Sequence, residues 1–379
     1  MATLIVVEDL AHPAVVGRGG ASIRKLHWLE GLSRLGHEVY FLEFLDEPPT
    51  AAGIQYFEQV IDSMWSRERA ALLLEPSLES VRGVDVAAVR ELAGRADAVL
   101  TLCAPYRREP RPLIDSVRPR VLFDADPAYT NLWAVHEDDP AEIYGEHDFY
   151  FTVGLNIGTP RSAVPTCGIA WRPLPPPVVL DWWPQESPIT RDRFTTVGKW
   201  RDYGGYLEFD GQILGPKVEE FQKFIALPRM VGEPLELAFG IDDDDPDVPL
   251  LRENGWVLED PSVVSKPAEY VSYVAGSAGE FSCANGGYVG THSGWFSDRS
   301  ACYLAAGRPV VLQATGFEDV LPTGEGLFAV STPEEATDAI HHVRADYARH
   351  SRAARGLAHE YLDSDLVLRR LLDQVGIGS

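Results

Sequence analysis

The chain has 379 residues, 45% of them hydrophobic, and a formal net charge of −24 from 33 basic and 57 acidic side chains. That length suits two α/β domains of ordinary size, and the acid excess repels polyanions, so nucleic acid and anionic membrane surfaces are not expected as partners. No apolar run approaches the ~20 residues that span a bilayer, and no basic-then-apolar leader opens the chain, so a cytoplasmic protein is expected.

The first run, TLIVVEDL, is short, β-branched and apolar, as a buried parallel strand is. Gly17, Gly19 and Gly20 then form a flexible loop. Ile23, Leu26, Leu29, Leu32 and Leu35 recur at helical spacing, and Gly36 stands where a helix C-terminus prefers glycine. HEVYFLEFL reads as the next strand, completing a β-loop-α-β unit of a doubly wound domain. Further on, YFEQVIDSMWSRERAALLLE is helical, and ADAVLTLC, RPRVLFDAD and HDFYFTVG are strands.

Residues 173–188, PLPPPVVLDWWPQESP, are rich in Pro and Trp and are read as a stiff crossing segment between domains. A second series follows, with strands RFTTVGKW, LELAFGI, GGYVGTH and RPVVLQAT. Between them lie the helices PKVEEFQKFIALP, PAEYVSYVAGS and SDRSACYLAAG. The expected division is 1–180, 181–355 and a C-terminal helix in 356–379 that packs back onto the first domain. Fold class is α/β, with two Rossmann-like domains facing a central cleft.

Chemistry concentrates in residues 286–317. A Gly-punctuated loop there opens a helix, and unpaired N–H groups at a helix start make an anion site. Ser297 supplies either an N-cap or a phosphate contact, and Arg299 offsets the charge of Asp298. The plainer alternative is a capped helix whose loop only packs. Asp124 and Asp126 form a D-x-D at a strand end, where Asp126 is expected to line the cleft or mark a strand-ending turn rather than hold a metal. The acidic run IDDDDPD lacks the spaced ligands and glycine of a calcium loop. Cys103, Cys167, Cys283 and Cys302 have no zinc spacing and are read as buried thiols, so no metal site is expected.

The segment THSGWFSDRSACYLAAGRPVV resembles the donor site of GT-B glycosyltransferases. Thr291 to Ser297 are similar to the T-H-C-G-W-N-S phosphate loop of family 1, and Ala306 to Val310 to an A-x-G-x-P-V end shared by several GT-B families. The resemblance implies a nucleotide diphosphate sugar as co-substrate, with no further cofactor and no required metal, and a small-molecule acceptor, as in natural-product biosynthesis. By it, His292 and Ser297, with Gly294 and Arg299 beside them, hold the diphosphate. Thr315, Gly316 and Phe317 face the sugar. Apart from the resemblance, Glu325, set between two glycines, either binds donor hydroxyls or marks a turn. Lys199, with Arg201 or Lys217, supplies positive charge. On the acceptor side, where family 1 places its basic His, His12 is the candidate base, since an imidazole titrates near neutral pH, with Asp9 as its alternate and a loop His without a catalytic role as the plainer reading; the Gly19–Gly20 loop and Asp126 lie on the same side. Trp65, Trp133 and Trp171 either line an acceptor pocket or belong to the core.

The paired glutamates of family 4 are missing, since Gly294 and Cys302 stand at those positions. The rival readings are a nucleotide-sugar epimerase or phosphorylase on the same scaffold, and a non-catalytic binding subunit. A homodimer is compatible with all of them.

Overall fold

The computed structural model describes the chain except for residues 76, 78, 104–111, 137–138, 185–186, 202–204 and 379; Gln185 and Glu186 of the Pro-rich segment therefore lie outside the described residues. The first sheet takes β1 (Thr3–Val7), β2 (Glu38–Leu45), β3 (Ala70–Leu74), β4 (Glu79–Gly83), β5 (Ala98–Leu102), β6 (Arg120–Asp124), β7 (Phe149–Thr152) and β8 (Trp171–Pro173). Their order is β4-β3-β2-β1-β5-β6-β7-β8. All neighbours are parallel except the edge strand β4, which runs antiparallel to β3. β1 and β5 pair at the point where strand order reverses.

The second sheet takes β9 (Arg191–Lys199), β12 (Leu235–Gly240), β13 (Trp256–Leu258), β14 (Ser277–Ser282), β15 (Val310–Gln313) and β16 (Leu327–Val330), in the order β13-β12-β9-β14-β15-β16. Numbered within its own domain this is 3-2-1-4-5-6, the Rossmann order, with the reversal between β9 and β14. A hairpin of β10 (Leu207–Phe209) and β11 (Gln212–Leu214) is inserted after β9. Its Leu207 and Leu214 pack with Tyr129 of the first domain.

The helix α1 (Gly19–Arg34) buries Ile23, Leu26, Leu29 and Leu32, and Gly36 follows its C-terminus at φ +88°. Its first turn is pressed onto the second domain: a Cβ on Gly19 would lie 2.4 Å from the Lys266 carbonyl oxygen, and one on Gly20 2.8 Å from the Tyr270 ring. Glycine is therefore required there for close approach rather than flexibility. The C-terminal helix Ser364–Val375 buries Leu368, Leu371 and Leu372 in the first domain's core. It lies against α1, where a Cβ on Gly31 would meet Leu368 at 2.5 Å.

Three sequence readings change. GGYVGTH contains the short helix Gly286–Gly290, not a strand. The helix after Thr50 ends at Met64, and the AALLL that follows is β3. SAGEFS is the buried strand β14, which its Gly, Ser and Glu content conceals. Tertiary contacts explain each of those residues. Gly279 lies where a Cβ would come within 2.6 Å of Phe194, Glu280 is paired with Arg299, and the Ser277 hydroxyl bonds Thr195 and the Tyr273 carbonyl.

Candidate functional site

A cavity of about 480 Å³ lies between the sheets, bounded by the carboxyl ends of strands from both. The first domain contributes the loop after β1 and the first turn of α1 (Gly17 to Ala21), Cys103 after β5 and Asp126 after β6. The second contributes Val197 to Lys199 of β9, Gly240 of β12 and Asn285 after β14. Ligands of doubly wound sheets bind at such switch points. The N-termini of two helices open onto it: α1, 16 residues long, and Asp298–Ala305, whose Ser297 cap accepts from the Arg299 N–H at 3.2 Å. Their dipoles add partial positive charge at the same place.

The cationic lining is Arg18, Arg24, Lys199, Lys217 and Arg299; the acidic lining is Asp126 and Asp298. Arg299 is committed to structure: it pairs with the buried Glu280 and donates to the Val197 carbonyl at 2.9 Å, tying β9 to β14. Arg24 pairs with Glu8 at 3.0 Å. Burial pulls its pKa down, but the nearby Glu8, Cys103, Asp298 and Asp126 outweigh that and hold it above the ordinary arginine value. Glu8 itself is pushed up by burial, against the pull of Arg24 and Lys25. The side chains of Arg18 and Lys199 make no hydrogen bond or ion pair among the described residues, so their charge is available to a ligand. Tyr288 stacks on Trp295 at 4.5 Å and donates to Asp126 at 3.2 Å.

Behind this lining, the carboxylate of Glu43 accepts from the backbone N–H of Ala11 at 2.8 Å and of His12 at 3.1 Å, fixing the turn after β1. Burial pushes its pKa up to about 8. Asp124 is fully buried, accepts from Thr130 at 2.6 Å and from the Asp126 N–H at 3.0 Å, and is pushed up to about 7, again by burial. Only Asp126 of the D-x-D faces the cavity.

Gly19, Gly20, Asp126, Lys199, Ser297 and Arg299, with Lys217, are thus brought together around one cavity. The other expected site residues lie elsewhere. His12 is exposed beyond the turn, and the Asp9 carbonyl accepts from Lys25 Nζ. His292 pairs with Asp319 at 2.8 Å on the outer side of its loop. Gly294 adjoins the backbone of Leu155 and Asn156, its carbonyl accepting from Leu155 N at 3.1 Å. Thr315 is buried and donates to the Trp295 carbonyl, and Gly316 packs on Asn156 and His292. Phe317 is buried against Phe296, so its ring cannot face a sugar. Glu325 pairs with Arg349, and Arg201 with Asp245 and Asp247.

The loop that resembles a phosphate cradle therefore spends its His and first Gly on the domain contact, and only Trp295, Ser297, Asp298 and Arg299 at its end reach the cavity. Trp171 is core, and Trp65 and Trp133 pack on the cores without lining the cavity. Cys302 is buried 3.9 Å from His27 Nε2, so no carboxylate replaces the missing glutamate there. Sequence reasoning passed over Arg18, Arg24, Asn285, Tyr270 and Tyr288. An arginine set between glycines just after the first strand was the available signal for Arg18. Asn285 was hidden with β14.

No family model matches the chain, and no curated protein matches it. Solved structures do. Anabaena HepE in complex with UDP and glucose superposes with a TM-score of 0.58 at 12% identity, over 99% of this chain and 100% of that one. This is the GT-B fold. An α-glucosyltransferase in complex with UDP-glucose and DNA containing an abasic site gives 0.58 at 13%, over 99% and 98%. Sucrose-phosphate synthase from Thermosynechococcus elongatus gives 0.56 at 13%, over 100% of both chains.

One expectation is overturned by these likenesses. Nucleic acid was excluded on net charge, yet GT-B structures matching almost the whole chain include α-glucosyltransferases in complex with DNA. Net charge describes the far field, and the cationic cavity shows that local sign departs from it. No helix among the described residues is long and apolar enough to cross a membrane.

Proposed function

We propose that the protein is a glycosyltransferase acting on a nucleotide diphosphate sugar, with UDP-glucose the first donor to test, since GT-B neighbours were solved with UDP or UDP-glucose. The observation that carries this reading is a cavity lined by Arg18 and Lys199, which have no partner among the described residues, and by two helix N-termini at the switch points of both domains, in a chain of net charge −24. In this reading the diphosphate lies against Arg18, Lys199, Lys217 and the first turns of α1 and of Asp298–Ala305. As the glycosidic bond breaks, negative charge grows on the leaving diphosphate, and fixed cations and N–H dipoles stabilise it without reorganising. That is the part a divalent ion would otherwise take, so transfer is proposed to be metal-independent. The acceptor lies on the first-domain side, where Asp126 is held by Tyr288 and is placed to orient or deprotonate an acceptor hydroxyl. His12 has no part in this scheme.

The test is release of UDP from UDP-glucose in EDTA, with and without small hydroxylated acceptors and duplex DNA. Acceptor-stimulated release, weakened in Lys199→Ala and abolished in Asp126→Asn, supports transfer. Tight binding with no turnover would make the chain a binding subunit instead.

A further inference from the structure

The amide of Asn285 is an unused hydrogen-bonding group in the cavity wall. Asn285 is 4% exposed, its Oδ1 is buried without a partner, and its side chain makes no hydrogen bond among the described residues. Buried amides are rarely left so, because the lost hydration is not returned. The backbone that carries it is pinned. The Gly286 N–H donates to the Gly215 carbonyl at 3.0 Å, and a Cβ there would come within 2.6 Å of that oxygen. A Cβ on Gly287 would lie 2.8 Å from Tyr129 of the first domain. Asn285 therefore has little freedom to relax toward another partner, and it follows β14, on the face where the donor is proposed to lie.

We infer that Asn285 determines donor specificity by hydrogen-bonding a hydroxyl of the transferred sugar, an inference that rests on the glycosyltransferase reading. An orphaned, rigidly held amide is preorganised for a ligand hydroxyl, which can both give and accept a hydrogen bond. Its charge neutrality suits the sugar rather than the phosphates, which the cations serve. A sugar lacking that hydroxyl leaves the amide unpaired again, which is how such sites reject analogues.

The experiment compares wild type with Asn285→Ala for binding of a nucleoside diphosphate, whichever of UDP, GDP, ADP and dTDP the wild type holds best, and of its glucose conjugate. Expected is unchanged affinity for the diphosphate and a loss of about tenfold for the sugar conjugate, the worth of one buried hydrogen bond. The apo variant should melt at the wild-type temperature or above, since no protein hydrogen bond is removed. Equal affinity of both proteins for the conjugate overturns the role of Asn285 and leaves the donor site standing. An equal fall for diphosphate and conjugate, with the fold intact, also overturns it, by moving the contact to the phosphates. Failure of wild type to bind any of the four diphosphates overturns the glycosyltransferase reading itself.

Discussion

The imidazole Nε2 of His292 lies 2.8 Å from Oδ2 of Asp319, and the same oxygen accepts from Nδ2 of Asn156, in the first domain, at 3.0 Å. The hydrogen bond from His292 holds the Asp319 carboxyl below its usual range. This half-exposed latch joins the domains outside the cavity. His292→Ala should therefore lower stability by only about 0–1 kcal/mol, as exposed ion pairs do. It should leave nucleotide affinity within about twofold, because no ligand contact is lost. A tenfold loss of affinity in isothermal titration would return His292 to the donor site.

Gly294→Ala should be far more damaging. Gly294 has φ +75°, and its added Cβ would lie 2.5 Å from the Asn156 backbone nitrogen. Either the left-handed backbone is strained or the loop lifts off the first domain, a cost on the order of 1–3 kcal/mol or more. Urea denaturation reads it; wild-type stability would show that the domains do not meet there.

Arg18 and Lys199 face the cavity with no protein partner among the described residues, so removing either should spare the fold and weaken the ligand. Arg18→Ala and Lys199→Ala should each reduce nucleoside diphosphate affinity about tenfold or more, as for charge-assisted hydrogen bonds. The wild-type affinity should fall with added salt, and the variants should show a shallower salt dependence. Salt-independent binding would argue against a diphosphate site.

Stability should fall as pH rises through the neutral range. Glu43 and Asp124 are pushed by burial to about 8 and about 7 in the folded chain, above their ordinary values of 4.5 and 3.8. Above pH ~4 to 5 the unfolded chain has released these protons while the folded chain keeps them. The contribution is full below that range and is lost as pH climbs through 7 to 8, at up to about 1.4 kcal/mol per pH unit for each group. Glu43→Gln keeps an acceptor for the Ala11 N–H and cannot ionise, so its stability curve should be flatter between pH 5 and 8. An identical slope in wild type and variant would remove Glu43 from this role.

His27 produces the opposite slope at lower pH. Its ring is buried, stacks on Trp182 at 5.0 Å, and accepts from the Val179 N–H at Nδ1, which fastens the interdomain segment to α1. Burial depresses its pKa to about 3. The unfolded chain binds the proton first, so this contribution is intact above pH ~6.5 and declines as pH falls toward 3. His27→Leu should lessen acid sensitivity in that window while lowering stability at neutral pH, both readable from thermal melts across pH.

Local pattern was enough for much of this chain. The apolar runs at β1, β2, β9 and β15, the leucine spacing of α1 and Gly36 after it are consequences of side-chain period and backbone sterics, which act over a few residues. Glycines near the first strand and the loop before Asp298 do border the cavity between the sheets. What local pattern did not carry was which member of each motif faces the cavity. Gly19 and Gly20 read as a flexible loop, but they are small because the second domain packs on them. His292 and Gly294 read as phosphate ligands, but they meet Asp319 and Asn156, residues distant in sequence. β14 is concealed because its Gly, Ser and Glu are each explained by a partner far along the chain. Sequence alone carried the α/β succession and most of its elements, since those depend on neighbours three or four positions away, but not β14, β3 or the short helix Gly286–Gly290. The tertiary structure decided which side chains spend their hydrogen bonds on the protein and which, like those of Arg18, Lys199 and Asn285, line the cavity with no hydrogen bond to the protein among the described residues.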